Sequence, residues 1–139
     1  MLAVRYAAKE DETFWFTLDR HLTRAEYDRK VREKRAYILL SEDMPVGLLR
    51  YNLFWDSVPF CTMLWIAPLY QHKGFGRYLT AHWEQDMKAL GHGMVMTSTQ
   101  ADESAQHFYR RLGYQDAGGL ILQIPGYEQP TELFFVKEL

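Results

Sequence analysis

Gln71-His72-Lys73-Gly74-Phe75-Gly76-Arg77 is the stretch of this sequence best equipped for chemistry. Two glycines one residue apart let the backbone turn sharply and come close to a ligand, since no Cβ stands in the way. The apolar spacing from Phe75 onward predicts a helix that opens here. The first N–H groups of that helix have no intrahelical partners and carry a partial positive charge. Phosphate is the natural occupant of such a place. His72, Lys73 and Arg77 add positive or switchable groups at its rim. Neither the dinucleotide fingerprint GxGxxG nor the P-loop pattern GxxxxGK[ST] is met. The context carries more weight: an apolar strand, Leu64-Trp65-Ile66, precedes the loop and a helix follows it. The expectation is that the loop holds a pyrophosphate, and that the strand holds whatever the pyrophosphate is attached to.

Positioning such a loop takes a fold, and the composition sets its bounds. At 139 residues, with 47% hydrophobic and 15% aromatic residues, the chain reads as one domain over residues 1–139. A domain of that size buries about two-thirds of its unfolded surface. A net charge of -2 without a basic run argues against a general nucleic-acid binder. The lone Cys61 permits no internal disulfide and no cysteine metal cluster, and suits a reducing cytosol. The opening MLAVRYAAKEDE lacks the apolar core of a signal peptide, and no apolar run is long enough to span a membrane. The expectation is a soluble, cytoplasmic protein. The five histidines (21, 72, 82, 92 and 107) show no ligand spacing such as HExxH, so no metal is expected.

Taken in order, Leu2–Tyr6 reads as a first strand and Lys9–Lys34 as helical. Within it, Phe14, Trp15 and Leu18 share one face, and Thr23-Arg24-Ala25-Glu26 matches a capping box. Ala36–Leu40, Val46–Phe54 and Phe60–Ile66 read as strands of an antiparallel meander, with turns at 42–45 and around Asp56-Ser57. Phe75, Leu79, Trp83, Met87 and Leu90 form a helical stripe that Gly91 closes. Met94-Val95-Met96 then starts a strand, parallel to the one ending at Ile66, as a right-handed crossover requires. Asp102 reads as the N-cap of a helix whose stripe is Ala105, Phe108, Tyr109 and Leu112, with Gly113 as its stop. Gly118–Ile124 and Leu133–Val136 read as strands around a loop from Pro125 to Pro130. The fold class is therefore α+β, with a mixed sheet of about seven strands and about four helices.

With both segments in view, the sequence resembles the GNAT superfamily of N-acetyltransferases. Gln71-x-x-Gly74-x-Gly76 resembles its loop motif [QR]-x-x-G-x-[GA], and Asp102–Tyr114 resembles its second motif, N-x-x-A-x-x-[FL]-Y-x-x-[LF]-G-[FY]. The two stand in the family's order, with a strand between them. The resemblance implies acetyl-coenzyme A as donor and direct attack by an amine in a ternary complex. It implies that the backbone of Leu64, Trp65 and Ile66 pairs with the pantetheine arm, and that the amides from His72 to Arg77 hold the pyrophosphate. A backbone N–H there would polarise the thioester carbonyl, a donor worth about 3–4 kcal/mol in acyl transfer. Tyr109 would protonate the departing thiolate, as a phenol that keeps its proton at neutral pH can. On helix spacing alone it would be a core aromatic beside Phe108.

Two positions depart from the pattern. Asp102 stands where an asparagine usually contacts pantetheine, and an aspartate cannot donate as an amide does. Phe60 and Thr97 stand where members often carry a general-base glutamate. Deprotonation would then fall to a water chain, to another acid (Asp56, Glu103 or Glu132 by residue type), or to an amine that arrives neutral. The aromatic run Tyr51–Asp56 and the loop Pro125–Pro130, with Tyr127 and Glu128, are candidate walls of an acceptor pocket. The acceptor itself, a small molecule or a peptide amine, is left open, and the aromatic edge strands suit a homodimer. The rival reading is a module that binds acyl-coenzyme A without transferring the acyl group.

Overall fold

The computed structural model describes residues 1–139. The elements run β1 (Leu2–Tyr6), α1 (Glu12–Leu18), α2 (Arg24–Glu33), β2 (Ala36–Ser41), β3 (Met44–Phe54) and β4 (Val58–Ile66). They continue with α3 (Phe75–Ala89), β5 (Met94–Gln100), α4 (Ala105–Arg111), β6 (Gln115–Leu120) and β7 (Glu132–Glu138). The seven strands form one mixed sheet in the order β1-β2-β3-β4-β5-β7-β6. Strands β1, β2 and β3 pair antiparallel, β4 and β5 pair parallel, and β7 runs antiparallel to both β5 and β6. The antiparallel start, the parallel crossover through α3 and the element count agree with the sequence. No helix is long and apolar enough to cross a membrane.

Two compact units divide the chain. The first comprises Met1–Asn52 with Thr62–Asp86, the second Leu53–Cys61 with Met87–Leu139. In the first, the unbroken apolar run of β2 is explained by cover on both faces. Ala36 and Ile38 join Leu48, Trp15 and Tyr27 in a core with α1 and α2. Tyr37, on the other face, lies 6.3 Å from the Tyr51 ring and 6.0 Å from His82 of α3, and Tyr51 lies 5.9 Å from Trp83. The hydroxyls of Tyr6 and Tyr37 both donate to Asp86, tying α3 to β1 and β2. The β2–β3 turn is tighter than the four residues expected. Glu42 and Asp43 alone make it, both at positive φ (49° and 65°), the twist a two-residue hairpin needs. Pro45 sits at the bulge beside Leu40, where its missing N–H is tolerated.

The connection between α1 and α2 is built on a buried ion pair. Asp19 is fully buried and accepts from Arg50 Nε (2.8 Å), Trp15 Nε1 (3.0 Å) and the N–H groups of His21 and Leu22. Arg50 also donates to Thr62 Oγ1 at 2.8 Å. Burial alone would raise the Asp19 carboxyl, but the hydrogen bond and charge of Arg50, with His21 N–H and the Trp15 indole, hold it below the usual carboxylate range. The Thr23 hydroxyl caps α2 by accepting from Glu26 N–H at 3.2 Å. Only that half of the expected capping box forms, because the Glu26 carboxylate pairs with Arg29 at 3.5 Å. Thr23→Ala should cost about 1 kcal/mol, read as a lower urea midpoint at unchanged slope. An unchanged midpoint would show that the cap contributes nothing.

In the second unit, three expectations shift. Leu90 is 62% exposed, because α3 ends at Ala89 and the helical stripe ends with it at Met87. Gly91 (φ 96°) closes the helix as expected, through His92 N–H to Met87 O and Gly91 N–H to Lys88 O. Next, α4 starts at Ala105, and Asp102 is not its N-cap. The chain first turns at Ala101-Asp102, Ser104 takes the cap position without a side-chain bond, and Glu103 accepts Gln100 N–H at 3.1 Å. Finally, β6 is Gln115–Leu120 and not Gly118–Ile124. The closure of α4 at Gly113 (φ 93°) feeds straight into it, a bulge falls between Asp116 and Gly118 (φ 115°), and Ile121 and Ile124 are exposed. Apolar residues beyond Leu120 therefore mark no strand.

Candidate functional site

The loop is held to β4 from three sides within the first unit. Ala67 N–H donates to Val46 O at 2.8 Å, fixing the end of β4 against β3. Gly47 makes that approach possible: a Cβ there would stand 2.6 Å from Ile66 Cδ1 and 3.2 Å from Trp65 O. Gln71 then reaches back, its Nε2 donating to Ile66 O at 2.8 Å. The Gln71 side chain thus clips the loop's start to the strand before it. Pro68–Tyr70 makes a single helical turn, and His72 (φ 62°) and Gly74 (φ 82°) take left-handed conformations, the backbone feature from which concave nests of successive N–H groups are built.

Helix α3 opens with Tyr78 N–H bonding Gly74 O at 3.1 Å, which makes Gly74 the cap residue. The N–H groups of Phe75, Gly76 and Arg77 precede that bond and have no intrahelical acceptor. His72, Lys73, Gly74 and Arg77 are exposed, whereas Gln71, Phe75 and Gly76 are half-buried. Tyr70 stacks on Phe75 at 6.1 Å, and the Lys73 ammonium lies 5.7 Å from the Tyr70 ring. Leu64 is half-buried, Trp65 exposed and Ile66 buried. N–H groups without intrahelical acceptors thus lie beside exposed basic side chains, a combination suited to an anion. Gly74 is needed for its backbone alone, since nothing lies within 4 Å of a Cβ placed there. If the loop takes the pyrophosphate of coenzyme A, as the resemblance implies, Gly74→Ala should weaken that binding about tenfold, because an L-residue pays about 1–2 kcal/mol to hold this φ. Calorimetric titration beside an unchanged circular-dichroism spectrum would check it; undiminished affinity would sink the anion role of the loop.

In the second unit, the parallel ladder consists of Phe60↔Met96 and Cys61↔Thr97 and stops there, five residues before β4 ends at Ile66. Thr97 Oγ1 donates to Cys61 O at 3.1 Å across it. Tyr109 of α4 packs on the same face, its ring 5.2 Å from Phe108, 5.4 Å from Tyr114 and 6.2 Å from Phe135. Only 6% of it is exposed. Burial pushes its phenol well above the ordinary value, Cys61 and Glu103 add to that, and a side-chain hydrogen bond with Thr97 works the other way. Burial thus favours the protonated phenol. Asp102 is exposed in the turn before α4.

On the opposite face of the ladder, Phe60 lies 5.9 Å from Phe134 and 6.0 Å from Phe54, and Phe54 lies 4.7 Å from Trp55. Trp55 is 77% exposed at the hairpin tip, with Asp56 beside it. Tyr127 is exposed as well, and Glu128 accepts Gly126 N–H at 2.9 Å. Glu132 accepts from Gln129 Nε2 at 2.8 Å. No group of three or more His, Cys, Asp or Glu side chains could hold a metal ion. Sequence reasoning missed the Gly47 approach and the Thr97–Tyr109 bond. A glycine inside a strand was the available signal for the first; nothing in the sequence marked the second.

The sequence profile of the acetyltransferase (GNAT) family matches residues 2–114. No curated protein sequence matches the chain. Among solved structures, a GNAT-family acetyltransferase from Bacillus cereus ATCC 10987 superposes with a TM-score of 0.79 at 20% identity, over 99% of this chain and 97% of that one. The ribosomal-protein-S18-alanine N-acetyltransferase from Escherichia coli gives 0.81 at 14% identity, over 99% and 94%. The PaiA N-acetyltransferase from Thermoplasma acidophilum, solved with coenzyme A, gives 0.74 at 14% identity, over 100% and 99%. At these identities the superpositions establish the fold. The profile, which spans both motifs, goes further: the chain belongs to the acetyltransferase (GNAT) family.

Proposed function

We propose that this chain works as one N-acetyltransferase domain, moving an acetyl group from acetyl-coenzyme A to an amine by direct attack. The observation that carries the proposal is the loop itself. A strand is clipped through Gln71 to a left-handed turn, which ends in three N–H groups without intrahelical acceptors at a helix start. The coenzyme A seen in the Thermoplasma acidophilum enzyme supports the same ligand here. The amides from His72 to Arg77 would take the pyrophosphate, with Lys73 and Arg77 adding charge. The backbone of Leu64, Trp65 and Ile66 would take the pantetheine amides, and Asp102 would accept a hydrogen bond from the same arm. Gln71 keeps Ile66 O for itself, which leaves the neighbouring backbone groups of β4 for the ligand.

Acetyl-coenzyme A supplies an activated acyl carbon. The acceptor nitrogen forms the new bond to that carbon as the carbon–sulfur bond breaks. Tyr109 donates its hydroxyl proton to the departing sulfur, the proton lost by the amine goes to solvent, and the Tyr109 phenolate takes a proton back from solvent. Tyr109 would enter the step protonated, since burial raises its phenol; its place in the second motif is what supports the role. Calorimetric titration with coenzyme A and with pantetheine tests the donor side. Binding of coenzyme A much tighter than pantetheine is expected. Equal or absent binding of the two would contradict the loop's role. Tight binding with no transfer to any amine would favour the non-catalytic module.

A further inference from the structure

The β4–β5 ladder itself, Phe60, Cys61, Met96 and Thr97, carries no carboxylate on either face. On the Tyr109 face, the hydroxyl's neighbours are Thr97, Cys61 and aromatic rings. The cations there, Arg110 over Phe135 and Lys137 over Tyr114, cannot accept a proton from an ammonium. The one carboxylate acting on Tyr109 is Glu103, whose Oε1 already accepts from Gln100 N–H and lies 3.5 Å from Thr99 Oγ1. On the other face stand Phe60, Phe134, Phe54 and Met96. The carboxylates of that face sit at its margins. Asp56 is at the exposed hairpin tip, Glu138 pairs in register with Met94, and Glu132 pairs with Gln100. Gln100 is three residues beyond Thr97, about 10 Å along the strand, and Glu132 is held by Gln129.

We infer that the acceptor is a weakly basic amine on an apolar, aromatic body, which reaches the Phe60–Phe134 wall already unprotonated. The inference rests on the acetyl-transfer reading above and deepens it. An alkylammonium brought against these rings has no carboxylate to receive its proton, and a nitrogen that keeps the proton has no electron pair to attack with. An α-amine, with an ordinary pKa of about 7.7–8.0, offers on the order of 300-fold more of the free base at pH 7 than an alkyl amine near 10.4. The rings supply the recognition that charge does not. Aromatic pairs favour the offset and edge-on contacts these side chains already make with one another.

Two amines with the same aromatic body separate the possibilities: phenylalaninamide, an α-amine, and phenethylamine, an alkyl amine. With acetyl-coenzyme A as donor, kcat/KM at pH 7 should favour phenylalaninamide at least tenfold, and the ratio should shrink steadily toward pH 10. The rising limb for each amine should follow that amine's own pKa. In the chain saturated with coenzyme A, the part of the tryptophan quenching that Trp55→Phe removes should report binding of both amines, weakened for both by Phe60→Ala. A single limb shared by the two amines, removed by Glu103→Gln or Glu132→Gln, would assign the proton to that carboxylate and overturn the inference. Transfer to neither amine by a chain that binds coenzyme A tightly would overturn it too. Failure to bind coenzyme A would instead strike the underlying reading.

Discussion

Tyr109→Phe is expected to lower turnover by about a hundredfold or more while leaving acetyl-coenzyme A affinity within about twofold. General acid catalysis contributes roughly 10²–10⁴ in rate, and the substitution removes the acid while keeping the ring. The ring is what packs against Phe108, Tyr114 and Phe135, so the fold should survive. The hydroxyl's partner, Thr97, keeps its own bond to Cys61 O. Because burial raises the phenol, its ionisation should not limit the rate at alkaline pH. A kcat equal to that of the parent chain would rule out the acid role. A lost affinity for acetyl-coenzyme A would recast Tyr109 as a packing residue.

The second large effect concerns stability. Arg50→Met should cost about 3–5 kcal/mol, the usual penalty for leaving one partner of a buried ion pair alone. Asp19 would then be a fully buried carboxylate with only Trp15 and two backbone N–H groups for company. Chemical denaturation would read the loss directly. The double variant Asp19→Leu with Arg50→Met should recover part of it, since the uncompensated charge is gone. The pair also sets an acid response. The Asp19 carboxyl titrates lower in the folded chain than in the unfolded one, where its ordinary value is about 3.9. Its contribution is therefore complete above about pH 5 and is lost as pH falls through the folded value. Asp11, lowered by its hydrogen bond from Arg5 and by that from Ala8 N–H, behaves the same way. A wild-type acid midpoint identical to that of the double variant would refute this account.

The strand–loop–helix from Leu64 to Ala89 was legible because its signals are local: glycines at the turn and an apolar stripe through Leu79, Trp83 and Met87. The central crossover followed from handedness and length. The errors arose where tertiary contact decides. Ile121 and Ile124 look like strand residues, yet they are exposed, and pairing with β7 runs past the bulge only as far as Leu120. Asp102 has the chemistry of a cap, but Glu103, one residue on, is the one within reach of the backbone. Asp19 and Arg50 lie 31 residues apart, so periodicity could not pair them. Gly47 reads as a weak strand position until β4 is seen to pass against it. The backbone form of the loop was therefore readable from residues alone, whereas the surroundings of Tyr109 and Phe60 needed the fold.

The central claim is acyl transfer to nitrogen by this chain. Its most direct test is incubation with acetyl-coenzyme A and phenylalaninamide, with free thiol and the mass of the amine followed together. The account predicts one thiol released for each amine that gains an acetyl group, and neither product from a chain carrying Tyr109→Phe at the same rate. Thiol release without acetylated amine, or acetylated amine formed as fast by the Tyr109→Phe chain, would contradict it.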